Sequence, residues 1–345
     1  MNIGVKPFGS ASGARETVLI RLENSRGMYA ELCNYGAALV SLGVPDKQGE
    51  IRDIVLGFDS AAGYEKSRYY MGATIGRHAG QIKNGCFSLN GQEYHLVIND
   101  HDHTMHGGPN GFHRQIFYWK AGREVVEFMY HSPDGEAGFP GNLDLRVRYQ
   151  LSESNELTIE YYALCDCDTV LNMTNHAYFN LNGEGTVMNH FLRINADEYT
   201  EIDPQGMPTG NILPVKNTPY DFTAPRVISE AIKSDDPQLK WANGYDHNWV
   251  LSRENDNEMR LAAELSDGKH LRTLMLYTNQ PGLQMYTGNY LDGREQGKTG
   301  KPYAYQEALC LEPQLFPNGM EQPEFPSPVL RRGEEYHFLS IYRFI

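Results

Sequence analysis

The chain has 345 residues, of which 40% are hydrophobic and 21% are charged, a composition typical of a folded globular protein. Its 44 acidic residues outnumber the 30 basic ones and give a formal net charge of −14. Because nucleic acids and anionic membrane surfaces are bound mainly through lysine and arginine, this balance argues against both kinds of partner. A neutral small molecule would be indifferent to the charge, which we interpret as a contribution to solubility.

The residues Met1 to Lys6 lead into a polar stretch that contains glycine, serine and alanine. They lack the apolar core that a secretory signal peptide needs, and no later run approaches membrane-spanning length. Five cysteines, an odd number in a chain of this size, do not make a disulfide framework. The sequence therefore favours a cytoplasmic protein with reduced thiols.

Strand-like runs separated by turn-forming pairs follow one another along the whole chain. The separating Asn-Gly and Asp-Gly pairs favour the positive φ angles of tight hairpin turns. Leu143 to Leu151 alternates apolar and polar residues strictly, as a half-buried strand does. The other runs that we interpret as strands are Thr17 to Glu23, Val125 to His131, Leu157 to Leu164, Arg272 to Thr278 and Tyr336 to Phe344.

Helical signals are few. Ser60 to Ser67 predicts one short helix, and Pro225 to Ile232 predicts a second, with Pro225 in its first turn. The long helices that a parallel α/β sheet requires between its strands are missing. We find no linker, charge block or internal repeat that would divide the chain. The sequence thus predicts an all-β fold, a large antiparallel β-sandwich with a few short helices, in which residues 1–345 form a single domain.

A histidine-rich segment follows the predicted strand Glu93 to Ile98. The spacing of its histidines His101, His103 and His106 is compatible with a metal site, since imidazole is a common metal ligand. No distant carboxylate or cysteine partner accompanies them, so we favour a polar loop with two solvent-exposed histidines. The Gly107-Gly108 pair indicates close backbone approach to a ligand or to another strand. It lacks the glycine spacing of a dinucleotide-binding turn.

A second segment concentrates polar groups where a buried strand would be apolar. Asn175, His176, Tyr178 and Asn180 lie within six residues, and on a strand the last three would share one face. Amide and hydroxyl groups are the hydrogen-bond partners that sugar hydroxyls require. The segment therefore favours a row of side chains facing a carbohydrate, and an ordinary structural histidine is the alternative.

Two further segments place a carboxylate beside apolar residues. Asp246 enters a strand from an Asn-Gly turn, where Tyr245 or Trp249 would pack on a sugar ring, and an aspartate that caps the turn is the alternative. Glu312 ends the apolar stretch Leu309 to Leu311, so we expect its carboxylate to be partly desolvated. Desolvation raises the pKa of a carboxyl group and makes it a better base near neutral pH. A surface glutamate at a strand end is the alternative.

Together these segments resemble the aldose 1-epimerase (galactose mutarotase) family over most of the chain. The resemblance rests on several motifs in the same order, and a single motif would not be specific. They are Tyr35-Gly36-Ala37, Asp53 to Phe58, Gly76-Arg77, Met105 to Gly108, Asn175 to Leu181, Tyr245 to Asn248, Pro281 to Asn289, Leu311 to Gln314 and Leu330 to Glu334.

The resemblance implies a galactose mutarotase-like sandwich and a cofactor-free isomerase that interconverts the α and β anomers of a free hexose. His176 would be the acid acting on the ring oxygen, and Glu312 the base acting on the C1 hydroxyl. This chemistry requires a charged His176 while Glu312 is ionised. No metal ion is implied, and the partner is a small-molecule sugar bound by a monomer or homodimer. The sugar site would be lined by His106, Tyr178, Asp246 and Gln284.

One position departs from the family pattern. After Gly76-Arg77 the family has an asparagine–arginine pair whose arginine contacts the sugar, and Gly80-Gln81 stands here instead. A neutral amide does not reproduce the charge and the fork of a guanidinium. Arg77 lies four residues away, too far along a strand to act as a substitute. Gln81 is therefore an expected sugar contact that bears on substrate preference more than on the reaction class.

Other functions are compatible with some of the same residues. A glycoside hydrolase would use two carboxyl groups, for which Glu312 and Asp246 are the available pair, but His176 would then have no clear role. A catalytically silent sugar-binding protein would account for Gly80-Gln81, although both expected catalytic residues are intact. A phosphosugar epimerase is disfavoured because no Arg/Lys cluster accompanies the site segments. The sequence leaves open whether a hexose or a hexose-containing disaccharide is preferred.

Overall fold

The computed structural model describes residues 2–11, 15–252, 258–298 and 300–345. These residues form many short strands and three short α-helices. The helices are α1 (Ala61–Lys66), α2 (Ile228–Ala231) and α3 (Pro237–Trp241). Within the described ranges, no helix has both the length and the apolar character needed to cross a membrane.

The strands follow one another closely along the chain. Up to residue 165 they are β1 (Asn2–Ala11), β2 (Arg15–Glu23), β3 (Tyr29–Cys33), β4 (Ala38–Pro45), β5 (Ile51–Asp53), β6 (Thr74–Ile75), β7 (Gln81–Ile82), β8 (Cys86–Leu89), β9 (Gln92–His95), β10 (Thr104–Met105), β11 (Tyr118–Ala121), β12 (Val125–Ser132), β13 (Leu143–Leu151) and β14 (Glu156–Cys165). After it they are β15 (Thr169–Val170), β16 (Thr174–Asn175), β17 (Tyr178–Phe179), β18 (Phe191–Ile194), β19 (Glu198–Ile202), β20 (Pro208–Pro214), β21 (Arg226–Val227), β22 (Asp246–Val250), β23 (Arg260–Ser266), β24 (Thr273–Thr278), β25 (Gly282–Tyr286), β26 (Leu309–Gln314), β27 (Val329–Leu330) and β28 (Tyr336–Phe344).

The strands expected from the sequence are confirmed. β13 and β28 have the predicted ends, and β2, β12, β14 and β24 differ from prediction by a residue or two. The strand expected from Glu93 to Ile98 is shorter and ends at His95 in β9. Of the two strands with correctly predicted ends, β13 alternates apolar and polar residues strictly, because one of its faces is exposed to solvent.

The helices are confirmed in part. α1 is the first predicted helix, and the Ser60 side chain caps it by accepting a hydrogen bond from the Gly63 N–H. The predicted start of the second helix at Pro225 is wrong: α2 begins at Ile228, because the two preceding residues pair with β18 as β21. The sequence analysis missed α3, although Asp236 before Pro237 is a recognisable helix start.

The described residues form three larger antiparallel sheets. Their strand orders are β1-β2-β3-β4-β5, then β11-β12-β13-β14-β28-β24-β23-β18-β21, and finally β17-β26-β25-β22-β19-β20. We call them the five-, nine- and six-stranded sheets. Strand β28 lies between β14 and β24, in the interior of the nine-stranded sheet.

The nine- and six-stranded sheets pack on one shared hydrophobic core, as a sandwich does. Val147 and Tyr149 of β13 reach this core from the nine-stranded sheet. Trp249, Leu283 and Leu311 reach it from the six-stranded sheet, and none of these five residues is more than 1% exposed. Each strand of the six-stranded sheet therefore has one face committed to the core, which leaves the other face for a site.

Candidate active site

The candidate site lies on the face of the six-stranded sheet that points away from the shared core. Along β26, Leu309 and Leu311 belong to the core, so the residues between and after them, Cys310 and Glu312, point to the other face. In β25 the same alternation turns Gln284 toward that face. The period of two along each strand thus separates core residues from site residues.

Strand register brings these site residues together from distant parts of the sequence. Gln284 lies opposite Glu312, and Tyr286 opposite Cys310, in the β25–β26 pair. Asp246 lies opposite Tyr286 in the β22–β25 pair. Directly opposed residues on one face of an antiparallel pair have Cβ atoms roughly 4.5–5.5 Å apart, so the side chains form one group.

The grouped side chains line a cleft of about 850 Å³. All seven residues that the family resemblance assigns to the reaction or to the sugar lie in its wall. They are Gln81, His106, His176, Tyr178, Asp246, Gln284 and Glu312. A cleft of this volume is near the upper end of the range of roughly 300–1,000 Å³ that holds small organic ligands.

His176 and Glu312 form the centre of the cleft. Nε2 of His176 lies 3.8 Å from Oε1 of Glu312, and both side chains are almost completely buried. The imidazole ring lies between two phenol rings that are nearly parallel to it, Tyr178 with its centroid at 5.1 Å and Tyr70 at 5.8 Å. These rings hold the imidazole with Nε2 toward the carboxylate. The expected partial desolvation of Glu312 is confirmed, and the alternative of a surface glutamate is wrong.

Cys310 contacts the other nitrogen of the same histidine. Its Sγ lies 3.4 Å from Nδ1 of His176. Burial raises the pKa of the Cys310 thiol well above its ordinary value, and the nearby Glu312 adds to the rise. The raised pKa favours the protonated thiol. The tautomer of the imidazole decides which atom of the Sγ–Nδ1 pair is the donor: with the ring proton on Nε2, the atom that faces Glu312, the thiol donates to Nδ1.

The pKa values of the central pair shift in opposite directions. Burial lowers the pKa of His176 to about 4. Burial also raises the pKa of Glu312 well above its ordinary value, and the charge of Asp246 adds to the rise. Both shifts favour the neutral forms of the two groups, because burial disfavours their charged forms. A charged His176 beside an ionised Glu312 therefore requires interactions that stabilise the two charges, and it stays a prediction.

Asp246 and His106 add an acceptor and a donor to the cleft wall. Nε2 of Gln284 donates to Oδ1 of Asp246 at 2.7 Å, and burial raises the pKa of Asp246 to about 6, so this carboxylate is ionised at neutral pH. The Gly80 N–H donates to Nδ1 of His106 at 3.1 Å. Burial lowers the pKa of His106 well below its ordinary value, which leaves a neutral ring with its proton on Nε2.

Three buried oxygen atoms in the cleft wall have no hydrogen-bond partner among the described residues. They are Oε2 of Glu312, Oε1 of Gln284 and Oε1 of Gln314. A buried acceptor without a donor destabilises the folded protein unless a ligand or water satisfies it. All three are acceptors, so the cleft fits a ligand that is rich in hydroxyl donors.

Metal binding is a second chemistry to consider for these residues. Ligand atoms of His176, Cys310 and Glu312 lie within 4.8 Å of one another. The raised pKa values of the thiol and the carboxyl group oppose metal binding, because both must lose a proton to act as ligands. The histidines of the 101–106 segment do not converge: His101 is exposed, while His103 is buried and its Nδ1 accepts a hydrogen bond from the Asn84 N–H.

A model of the aldose 1-epimerase family matches residues 18–343. The chain belongs to the aldose 1-epimerase family. Galactose mutarotase of Rattus norvegicus is 37% identical to it, over 97% of this chain and 95% of its own length. Aldose 1-epimerase of Escherichia coli K12 is 38% identical, over 95% of each chain. Membership of this family identifies an isomerase that acts on carbohydrates.

Solved structures confirm the predicted aldose 1-epimerase fold. The GalM/aldose epimerase homologue from C. elegans has a TM-score of 0.88 and 33% sequence identity, over 95% of this chain and 99% of its own. Galactose 1-epimerase from Lactobacillus acidophilus NCFM has a TM-score of 0.86 and 30% identity, over 100% and 98%. The likeness extends over nearly the whole of each molecule.

Gln81 holds its expected place in this aldose 1-epimerase cleft. It begins β7, lies opposite Met105 of β10 and so is next to His106. Arg77 is buried elsewhere and donates to Ser132 and to the carbonyl of Gly141, among other oxygens. The prediction that Arg77 does not replace the arginine of the family pattern at position 81 is therefore confirmed.

Two aromatic residues expected at the sugar are in the core instead. Tyr245 and Trp249 are completely buried, and their polar atoms donate to the carbonyls of Pro219 and Tyr220. The expectation is wrong because residues 246 and 249 of one strand point to opposite faces, so Trp249 turns inward when Asp246 faces the cleft.

The predicted shared face of His176, Tyr178 and Asn180 is also wrong in part. The segment is not one strand, since β16 and β17 are two residues long each and His176 lies between them. Nδ2 of Asn180 donates to the carbonyls of Gly185 and Glu307, so this amide holds loops together. His176 and Tyr178 do line the cleft.

Several residues of the cleft wall carry no signal in the sequence analysis. Tyr70, Trp241 and Tyr290 lie in loops or at the end of a short helix, where no periodicity indicates which way a side chain points. Tyr286 and Gln314 could have been found, because they follow Gln284 and Glu312 by two residues on the same strand faces.

Proposed function

We propose that this protein interconverts the α and β anomers of a reducing hexose, with His176 as the acid on the ring oxygen and Glu312 as the base on the C1 hydroxyl. The observation that carries the proposal is the 3.8 Å approach of Nε2 to Oε1 inside the cleft. The unpartnered oxygens around the pair fit a polyhydroxylated ligand. Family membership supports the reaction class.

The proposed reaction opens and recloses a hemiacetal. Nε2 of His176 gives a proton to the ring oxygen as the bond between C1 and that oxygen breaks, while Glu312 takes the proton of the C1 hydroxyl and C1 becomes an aldehyde. The aldehyde turns over by rotation about the C1–C2 bond. The freed hydroxyl then attacks the other face of C1, its proton returns to His176, and Glu312 protonates the C1 oxygen. No electron or group is transferred in the cycle.

Sugar binding prepares the pair for this reaction. A neutral His176–Glu312 pair and a charge-separated pair hold the same number of protons, and one proton transfer interconverts them. Hydroxyl donors at the unpartnered Oε2 of Glu312 stabilise its carboxylate and lower its pKa. The proton then moves to His176, so the bound sugar itself produces the acid and the base.

The other wall residues hold the sugar in the proposed complex. Ionised Asp246 accepts from hydroxyl groups, and neutral His106 donates to a sugar oxygen. Gln284 and Tyr178 complete the ring of hydrogen-bonding groups, and Gln81 offers a neutral amide where the family pattern has arginine. A cytoplasmic location and a monomeric or homodimeric state stay predictions of the sequence.

Polarimetry tests the proposal. Crystalline α-D-galactose and α-D-glucose are dissolved in dilute buffer, because buffer bases catalyse mutarotation themselves, and the optical rotation is followed with and without protein. We expect a faster approach to the same final rotation. Glu312→Gln keeps the side-chain size and removes the base, so kcat should fall by roughly 10²- to 10⁴-fold.

The matched control is Glu335→Gln, which changes an exposed carboxylate outside the cleft and should leave kcat unchanged. Circular dichroism of each variant verifies the fold. Unchanged rates for both sugars with the wild-type protein would contradict the reaction, and a Glu312→Gln variant with normal turnover would contradict the role of the carboxylate.

Two further assays on the same protein test the alternative functions. A glycoside hydrolase that used Glu312 and Asp246 would release the aryl alcohol from an aryl glycoside, and an epimerase would not. A silent sugar-binding protein would bind galactose or glucose without accelerating the change of rotation. Family membership favours the epimerase over both.

A further inference from the structure

The cleft extends well beyond the reacting pair. His176 and Glu312 lie buried at its inner end, while Trp241 and Tyr290 line its outer part and are 42% and 56% exposed. One hexose ring is much smaller than the ligands that fill clefts of this volume. A hexose placed at the reacting pair therefore leaves the outer part of the wall without an occupant.

The outer wall is continuous with the reacting pair through a row of neighbouring aromatic rings. The Tyr290 ring lies nearly parallel to the Tyr286 ring, with 6.1 Å between centroids. The centroid of Tyr286 in turn lies 6.3 Å from that of His176. A ligand bound at His176 is thus in reach of an aromatic surface that leads outward to solvent.

Hydrogen bonds fix the two segments that carry the exposed rings. Nδ2 of Asn289 donates to the carbonyl of Ala242 at 2.9 Å, and Nδ2 of Asn243 donates to the carbonyl of Asn289 at 3.2 Å. These bonds tie the residues after Trp241 to the residue before Tyr290. The backbone segments that carry the two aromatic side chains are therefore held together before any ligand arrives, which reduces the entropic cost of binding.

The charges of the outer wall favour a neutral ligand. Arg68 is the one arginine or lysine that lines the cleft in the described part of the chain. Its Nη2 lies 2.6 Å from Oδ2 of Asp292, which also lines the cleft and neutralises it. Gln81, close to the reacting pair, adds an uncharged amide. A phosphorylated or acidic sugar would find no free cation in this wall.

We propose that the outer part of the cleft is a second sugar subsite and that a reducing disaccharide is the preferred substrate. This proposal rests on the proposed function, with the reducing ring at His176 and Glu312. The second pyranose ring packs the C–H groups of its face on Trp241 and Tyr290, while its hydroxyls reach the polar groups beside them. Binding of a ring that does not react can be used to raise kcat/KM for the ring that does.

Polarimetry on two kinds of sugar tests the subsite. Rates are measured with crystalline α-D-glucose and with crystalline β-maltose and α-lactose, whose reducing rings are also glucose. We expect a higher kcat/KM for at least one disaccharide. Trp241→Ala and Tyr290→Ala should each lower kcat/KM for that disaccharide by about tenfold, the loss expected for one aromatic contact, and leave kcat/KM for glucose unchanged.

Tyr118→Ala is the matched control, since Tyr118 is 83% exposed and lies outside this cleft. This substitution should change kcat/KM for neither substrate. Equal losses for glucose and disaccharide in the Trp241 and Tyr290 variants, or no loss for either, would overturn the second subsite. A wild-type preference for glucose over every disaccharide tested would overturn the preferred substrate.

Fluorescence separates failure of the subsite from failure of the reaction. The chain has three tryptophans, and of these only Trp241 lines the cleft. The preferred disaccharide should change the tryptophan emission, glucose should not, and Trp241→Phe should abolish the change. A fluorescence change without accelerated mutarotation of any sugar would refute the proposed reaction and retain the subsite. Accelerated mutarotation without a fluorescence change would retain the reaction and refute the subsite.

Discussion

The proton affinities of His176 and Glu312 define the range of pH in which one acid and one base are present together. Burial lowers the pKa of His176 to about 4 and raises that of Glu312. Below about pH 4 the pair takes up a second proton, on His176, and then contains no base. Above the raised pKa of Glu312 the pair has lost its proton and contains no acid. Between these limits the pair holds one proton, and either group can receive it.

We therefore predict a bell-shaped dependence of kcat/KM on pH whose acid limb lies near pH 4. Activity should begin to rise in this region, rise further as the sugar ligand Asp246 ionises near pH 6, and fall where Glu312, whose pKa is raised by burial, loses its proton. The profile is measured by polarimetry, with rates extrapolated to zero buffer concentration. A kcat/KM that shows no fall near pH 4 would contradict the lowered pKa of His176.

Cys310 should act as a positioning residue, because the proposed acid role of His176 requires a proton on Nε2, and in that tautomer the S–H of Cys310 donates to Nδ1. Cys310→Ala removes the donor, and kcat should fall by about tenfold, the rate equivalent of one hydrogen bond, while KM stays unchanged. The acid limb should move to higher pH, since the neutral ring loses a stabilising partner. Cys310→Ser should restore most of kcat through its O–H donor.

Cys165→Ala is the control for this prediction, as it removes another buried thiol that does not line the cleft. It should change neither kcat nor the pH profile. A Cys310→Ala variant with wild-type kcat and an unmoved acid limb would show that the thiol only fills space.

At the scale of elements, strands with one solvent-exposed face could be predicted from the sequence. Strands with two buried faces could be predicted only in part. β13 has its predicted ends because its polar residues alternate with apolar ones. β26 is buried along its whole length, so Glu312 stands out there only as a charged residue at the end of an apolar run. Hydrophobicity alone does not tell which face of such a strand lines a cleft.

Much of the candidate site could still be found, because its polar residues are conspicuous in buried strands. Asp246, Gln284 and Glu312 belong to three neighbouring strands, and Gln284 and Glu312 follow directly on buried apolar residues. Trp241 and Tyr290 could not be assigned, because a short helix and a loop bring them together through side-chain to backbone bonds between distant residues. Such bonds leave no periodic signal in a sequence.

The two faces of β26 predict separable effects of substitution. Leu311 lies 1% exposed in the shared core, so Leu311→Ala should lower the free energy of unfolding by about 2–5 kcal/mol through lost burial and a residual cavity. At temperatures where the variant is folded, kcat should stay near the wild-type value, because the side chain points away from Glu312. Urea unfolding and polarimetry measure the two quantities.

Leu164→Ala serves as the comparison, since Leu164 is 48% exposed on β14 and should cost little stability. A loss of stability at Leu311 no greater than at Leu164 would contradict the assignment of faces. So would a large loss of kcat in the folded Leu311 variant.

At the scale of the whole molecule, the first and last strands have very different surroundings. β28 pairs with β14 on one side and β24 on the other, and it brings Tyr342 and Phe344 into the shared core. The hydroxyl of its Tyr336 also accepts a hydrogen bond at 3.0 Å from the N–H of Met173, just before the segment that carries His176. β1 pairs only with β2 among the described strands and forms the edge of the five-stranded sheet.

Deletion of one or the other strand should therefore give opposite results. Without residues 336–345, the nine-stranded sheet is split into two parts with unpaired edges, and the protein should fail to fold or should aggregate. Without residues 2–11, the protein should remain folded and active with a lower Tm, because an edge strand with mostly exposed side chains is lost. A single domain over residues 1–345, which stays a prediction, further requires one cooperative thermal transition in the wild-type protein. Circular dichroism, size-exclusion chromatography and polarimetry measure these outcomes, and a soluble, active protein without β28 would contradict the central place of this strand in the fold.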